Sequence, residues 1–291
     1  MTTSRLFKGV VAGVLAVIAM VCASLLAVPM LRHYLVAVAN DPMRLPVLET
    51  DARVHYEPGA KTCALVVAGL LPTAIERIEK AQRRAFAREP AIGVYASYEA
   101  YAKANGLEDP TIAATSRSGR VILSPRLCGH EFSRLDGVLT HELSHAHLFG
   151  WRFSLLKRRP PSWFTEGLAV MASAGAGAET VSERNAAEAI ANGYAILVGD
   201  EGLWVDFDSI PFENDPPRDL PLSRQRFAYR QAAMFVEWLN HRDPQGFGSL
   251  LLRIENGENF KDSVRASYGR DTIQLWQSFV SDLKLGNRGA Y

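Results

Sequence analysis

The chain has 291 residues, a formal net charge of +1, 22% charged residues and 48% hydrophobic residues. That is room for one catalytic domain with a substantial core, or for two small domains. The near-zero charge removes any electrostatic reason to expect a nucleic-acid partner, and the basic triplet Lys157, Arg158 and Arg159 reads as a solvated loop.

The N-terminus carries the first positional signal. Residues Gly9 to Leu31 form 23 consecutive positions without a charged side chain, long enough for a helix to cross a bilayer core with some tilt. Arg5 and Lys8 precede the run, which fits an N-terminal tail (1–8) left in the cytoplasm, although Arg32 and Arg44 follow and keep the charge bias small. The expectation is an uncleaved signal anchor over 9–31, a single membrane pass with the body on the extracytoplasmic side. A cleaved signal peptide is the rival, because Val21-Cys22-Ala23 and Ala37-Val38-Ala39 both fit the small-residue cleavage pattern. The opposite topology, with a cytoplasmic body, is a third reading.

Residues 32–59 contain Asp-Pro, Leu-Pro and Glu-Pro-Gly and read as a linker before a body over 60–291. A helix is expected over Pro72–Arg88, with Pro72 in its first turn and Ile75, Ile78, Ala81, Ala85 and Phe86 on one face. A strand at Ile92–Ala96 and a helix at Tyr98–Ala104, stopped by Asn105-Gly106, follow. Strands are expected at Thr111–Thr115 and Arg120–Leu123. Helices then dominate, over 131–149, 162–173, 182–197, 224–240, 246–255, 258–267 and 271–284, with a proline-rich loop at 199–222. Strands first and helices afterwards define an α+β fold. Of three cysteines, Cys22 lies in the apolar run; Cys63 and Cys128 either pair, if the body is exported, or are independent buried thiols.

The chemistry concentrates at His141-Glu142-Leu143-Ser144-His145. Leu135, Val138, Leu139 and Leu143 set it in an amphipathic helical pattern, and positions i and i+4 share a helix face, so His141 and His145 can aim two imidazoles at one cation. Zinc suits nitrogen and carboxylate ligands in a tetrahedron. Glu142 follows the first histidine, where its carboxylate reaches a water rather than the metal. His147, two residues past His145, points to nearly the opposite face and reads as a partly buried or surface histidine rather than a ligand. Two histidines need a third protein ligand if one position is to stay open. Glu166, 21 residues after His145 in Trp163-Phe164-Thr165-Glu166-Gly167-Leu168-Ala169, can return on a second, antiparallel helix after the turn at Arg159-Pro160-Pro161.

The two segments together resemble those of the gluzincin peptidases, the superfamily of thermolysin-like and neutral aminopeptidases. The resemblance implies a zincin-like fold, with a small N-terminal sheet over the metal helix and a mainly helical second half. It also implies Zn2+ held by His141, His145 and Glu166, with Glu142 as general base. A metzincin pattern is excluded by Leu148 and Trp151, which stand where that family has Gly and His. The segment Phe227-Ala228-Tyr229-Arg230-Gln231-Ala232 resembles the aminopeptidase helix that opens Tyr-x-Lys-Gly, which implies that Tyr229 donates to the oxyanion; Gln231 and Ala232 depart from that pattern. The Gly-x-Met-Glu-Asn segment that binds a free substrate N-terminus is absent before His141. In the resembled fold, Arg120–Ser124 would be an edge strand pairing with extended substrate, against the plain alternative of a core strand. The resemblance covers mainly 120–173 and 224–285. The expected activity is hydrolysis of a peptide or protein substrate by a membrane-anchored zinc peptidase. A membrane-tethered binding or assembly protein with a structural or inactive zinc site is the alternative.

Overall fold

The computed structural model describes residues 29–117, 119–151, 159–196 and 223–286, with Gly13, Val17 and Asn214. The fold is α+β. Five short strands, β1 (Val47–Leu48), β2 (Asp51–Tyr56), β3 (Ala91–Val94), β4 (Ala114–Arg117) and β5 (Arg120–Leu123), form one sheet in the order β1-β2-β3-β5-β4. Strands β2, β3 and β5 run parallel at its centre, and β1 and β4 pair antiparallel on the two sides. Parallel neighbours need crossovers. Helix α2 (Lys61–Gln82) links β2 to β3, and α3 (Tyr98–Asn105) lies on the way from β3 to β4.

Alternation along β5 divides two packed layers. Val121 and Leu123 join Val54, Ile92 and Val94 in a core shared with α2 and with α4 (Leu135–Trp151). Ile122, between them, packs with Tyr95, Tyr101 and Ala104 on the opposite face. The second half is a helical assembly of α5 (Ser162–Ala172), α6 (Glu183–Ala191), α7 (Arg224–Arg242), α8 (Pro244–Glu255), α9 (Phe260–Tyr268) and α10 (Thr272–Lys284). Its core gathers Trp163, Phe164, Phe235, Trp238, Trp276 and Phe279, whose rings meet at edge-on and tilted angles. Helix α4 is the seam between the halves. Leu135, Val138, Leu139, Leu143 and Ala146 face the sheet core, whereas Leu148 belongs to the helical core.

Several expectations shift. The stretch 32–59 is structured rather than a linker. It contributes α1 (Pro29–Ala39), a 3-10 turn at Pro42–Arg44, and strands β1 and β2. Only Val54 and His55 of β2 are buried, so this strand offers little apolar pattern, and the flanking turn-formers dominate the reading. Helix α2 starts at Lys61, which puts Pro72 in its interior. The buried face Cys63, Ala64, Val67, Leu71, Ala74 and Ile78 is continuous through the proline. Burial of that face against the sheet outweighs the ~3 kcal/mol cost of an interior proline. The strand expected at 111–115 forms at Ala114–Arg117. Helix α6 ends at Ala191, six residues short of the expected 197, because Asn192 and the left-handed Gly193 close it. Strand β5 sits between β3 and β4, so the edge reading of Arg120–Ser124 gives way: among the described residues β4 is the edge strand on that side.

Cys63 and Cys128 are joined by a disulfide with Cα atoms 5.5 Å apart. It ties the first turn of α2 to the 3-10 turn Pro125–Cys128 that leads towards α4. Among the described residues no helix is long and apolar enough to cross a membrane. The anchor expected over 9–31 lies outside the described residues, apart from Gly13, Val17 and the first residues of α1. The loop expected at 199–222 also lies outside them, apart from Asn214, as do Lys157 and Arg158.

Candidate metal centre

Helix α4 presents His141 and His145 one turn apart, and α5 packs beside it to deliver Glu166. The atoms His141 Nε2, His145 Nε2 and Glu166 Oε2 form a nearly equilateral triangle, with sides of 3.2, 3.1 and 3.4 Å. Tetrahedral ligands at ~2.0–2.1 Å from a zinc-sized cation stand about 3.3 Å from one another. The triangle therefore matches three of the four ligand positions of a tetrahedral site. His141, His145 and Glu166 are a group that can hold a metal ion.

Close helix approach makes this delivery possible. A Cβ added at Gly167 would lie 2.5 Å from the Ala232 carbonyl oxygen and 2.7 Å from its carbon. Only glycine lets α5 cross α7 at this depth, and Glu166 is the residue immediately before it. His141 is oriented from behind: its Nδ1 lies 3.1 Å from the Ala176 carbonyl oxygen, so Nδ1–H donates there and Nε2 keeps its lone pair for the cation. Ala176 sits in the turn Gly175-Ala176-Gly177 after α5. Gly177 adopts φ +94°, and a Cβ there would press on the Tyr229 ring at 3.2 Å and on His141 at 3.5 Å.

Two arginines on α7 pin that turn. Arg226 donates to the Gly177 carbonyl (2.7 Å) and pairs with Glu179 (2.9 Å), and Arg230 donates to the Val181 carbonyl (2.8 Å). Tyr229 stands between these arginines in sequence. Its ring lies 6.1 Å from that of His141, and Glu166 is among the groups that raise its phenol. The helix resembling the aminopeptidase segment thus does reach the site. The departures from that pattern are structural: Gln231 is buried and bonds to the backbone N–H and carbonyl of Ile196, both at 2.8 Å.

The titrating groups of this cluster polarise one another. Burial pushes the Glu166 carboxyl up, but its interactions with His145 and His141 outweigh it and hold Glu166 well below the usual range. Burial pulls His145 down, yet Glu166 and Glu142 prevail and push it up to about 9. Glu142 is raised by burial and by Glu166, with partial relief from the two histidines. Burial, Glu166 and Glu142 push the Tyr229 phenol well above its ordinary value. Arg159 stacks on Phe149 at 5.0 Å, and Phe149 in turn lies parallel to the His145 ring.

His147 is fully buried and lies on another face of α4 from the ligand pair, where it contacts the end of α2. The Ala176 carbonyl, Arg226 and Arg230 were not singled out from sequence. A backbone acceptor leaves no side-chain signal, and only the alternation Gly175-Ala176-Gly177 hints at a turn needing left-handed residues. No family model, no curated protein and no solved structure matches the chain.

Proposed function

We propose that the chain is a membrane-anchored zinc peptidase of the gluzincin type. Zinc would be held by His141, His145 and Glu166, with Glu142 as general base and Tyr229 as oxyanion donor. The observation that carries this reading is the triangle of two imidazole nitrogens and one carboxylate oxygen with sides near 3.2 Å, backed by the His141–Ala176 bond that frees Nε2. An N2O donor set favours zinc over the hard cations, which prefer oxygen-only shells. Held by His141, His145 and Glu166, a divalent ion would supply Lewis acidity towards a water and a carbonyl.

The chain's own groups supply the rest. Glu142, whose carboxyl is raised by burial, takes the proton from the attacking water and passes it to the leaving amine. Tyr229 keeps its phenolic proton and donates it as a hydrogen bond where negative charge develops on the carbonyl oxygen. Strand β4 packs beside α4 and is an edge strand among the described residues, which suits an extended peptide added by backbone hydrogen bonds. The Cys63–Cys128 disulfide favours an oxidising compartment, consistent with a body exported behind the apolar run at 9–31.

The test is zinc content and cleavage of a peptide panel by the full chain, beside Glu142→Gln. The expected result is one zinc per chain in both forms, with turnover lost by about 10²-fold or more in the variant. Full activity in Glu142→Gln would sink the assignment. Stoichiometric zinc without cleavage of any peptide would instead favour the tethered binding or assembly protein.

A further inference from the structure

The metal-bearing helix is gripped from a second side by the end of α2. Gln82, the last residue of α2, is 1% exposed, and its side-chain amide donates to the Ser144 carbonyl at 3.1 Å and to Ser144 Oγ at 2.8 Å. The Ser144 carbonyl can only accept, so the amide nitrogen faces it and the amide oxygen is turned to His147. His147 Nδ1 lies 2.7 Å from that oxygen, and His147 Nε2 lies 2.8 Å from the Arg84 carbonyl oxygen. One turn further on, Trp151 Nε1 donates to the Ala85 carbonyl at 3.0 Å. The chain presents these carbonyls because Arg83 closes α2 in a left-handed conformation, φ 58°.

Ser144, His147 and Trp151 are spaced three and four residues apart and so share one helix face. At 100° per residue that face lies about 100° round α4 from the ligand pair. Apolar contacts keep two helices together but resist a small rotation about the helix axis weakly, because they are non-directional; hydrogen bonds resist it. An imidazole Nε2 some 6–7 Å from the axis moves about 1 Å for a 10° rotation, which is more than a ligand atom tolerates.

We infer that Gln82 is a positioning residue for the metal centre, fixing the rotation of α4 through Ser144 and His147 so that His141 and His145 converge on one ion. This rests on the metal reading above.

The experiment measures zinc affinity by chelator competition, and the visible absorption of the Co2+ form, on the full chain. Four proteins are compared: wild type, Gln82→Leu, Ser144→Ala and Ile78→Val. Gln82→Leu is expected to weaken zinc about 10- to 100-fold and to change the Co2+ spectrum. Ser144→Ala, which keeps the backbone acceptor, should shift both in the same direction by a smaller factor. Ile78→Val, a truncation in the same helix at a fully buried position, should leave both within twofold of wild type. Affinity and spectrum unchanged in Gln82→Leu would overturn the inference, as would an equal loss in Ile78→Val. If Gln82→Leu does not fold, an unchanged Ser144→Ala overturns it. Wild-type protein that takes up no zinc would instead bring down the metal reading itself.

Discussion

The carbonyl oxygen of Ala176 and the Nδ1 of His141 lie 3.1 Å apart, across 35 residues of sequence. This bond sets the tautomer of one metal-directed imidazole, and a turn built on two left-handed glycines presents the acceptor. Gly177→Ala should therefore act on the site without touching a ligand. It places a Cβ against Tyr229 and His141 at a strained φ of +94°. The expected outcome is a stability loss of about 1–2 kcal/mol, with zinc bound about tenfold more weakly. Chelator competition and denaturant unfolding read the two effects separately.

Gly167 makes the complementary prediction for helix packing. A methyl group there meets the Ala232 carbonyl at 2.5 Å, so α5 must withdraw from α7 and carry Glu166 with it. Gly167→Ala should cost about 2–3 kcal/mol, near the top of the overpacking range, because the obstruction is backbone. A urea midpoint unchanged from wild type would contradict the crossing described above.

The Cys63–Cys128 disulfide closes a loop of 65 residues. Constraint of the unfolded chain predicts about 4 kcal/mol of stabilisation. The double variant Cys63→Ser, Cys128→Ser should lose about 2–4 kcal/mol. Urea unfolding in the presence and absence of reductant measures it, and reductant should affect only the wild type.

Glu131 governs an acid-sensitive corner before α4. Burial pushes its carboxyl up, but Arg126 and Arg134 dominate and hold it below its ordinary value of 4.5. A depressed folded value means the contribution is fully present above pH 4.5 and is lost as pH falls through the folded pKa. Glu131→Gln should cost roughly 1 kcal/mol at pH 7, and the difference from wild type should shrink as the pH drops below about 4.5. Stability measured by urea titration at pH 7, 4.5 and 3 tests the sign: a gap that widens on acidification would refute it.

Much of the centre was legible because its chemistry demands particular side chains at helical spacing. His141 and His145 need to stand four positions apart, and Glu166 needs enough chain to return antiparallel; the structure brings these three together. The parts that escaped were set by tertiary context. Strand β2 buries only Val54 and His55, so its place in the sheet comes from its parallel register with β3 and not from its own pattern. Pro72 looked like a helix start because its local cost is high, yet the buried face of α2 extends on both sides of it. Gln82 and the Ala176 carbonyl act on the site from 62 and 35 residues away in sequence, through bonds that no local spacing encodes.

The most direct measurement is X-ray absorption at the zinc edge on the full chain supplied with zinc. The account predicts one zinc with two imidazole nitrogens, one carboxylate oxygen and one solvent oxygen, all at about 2.0–2.1 Å. A sulfur ligand at about 2.3 Å, or a shell closed by four protein groups, would contradict it.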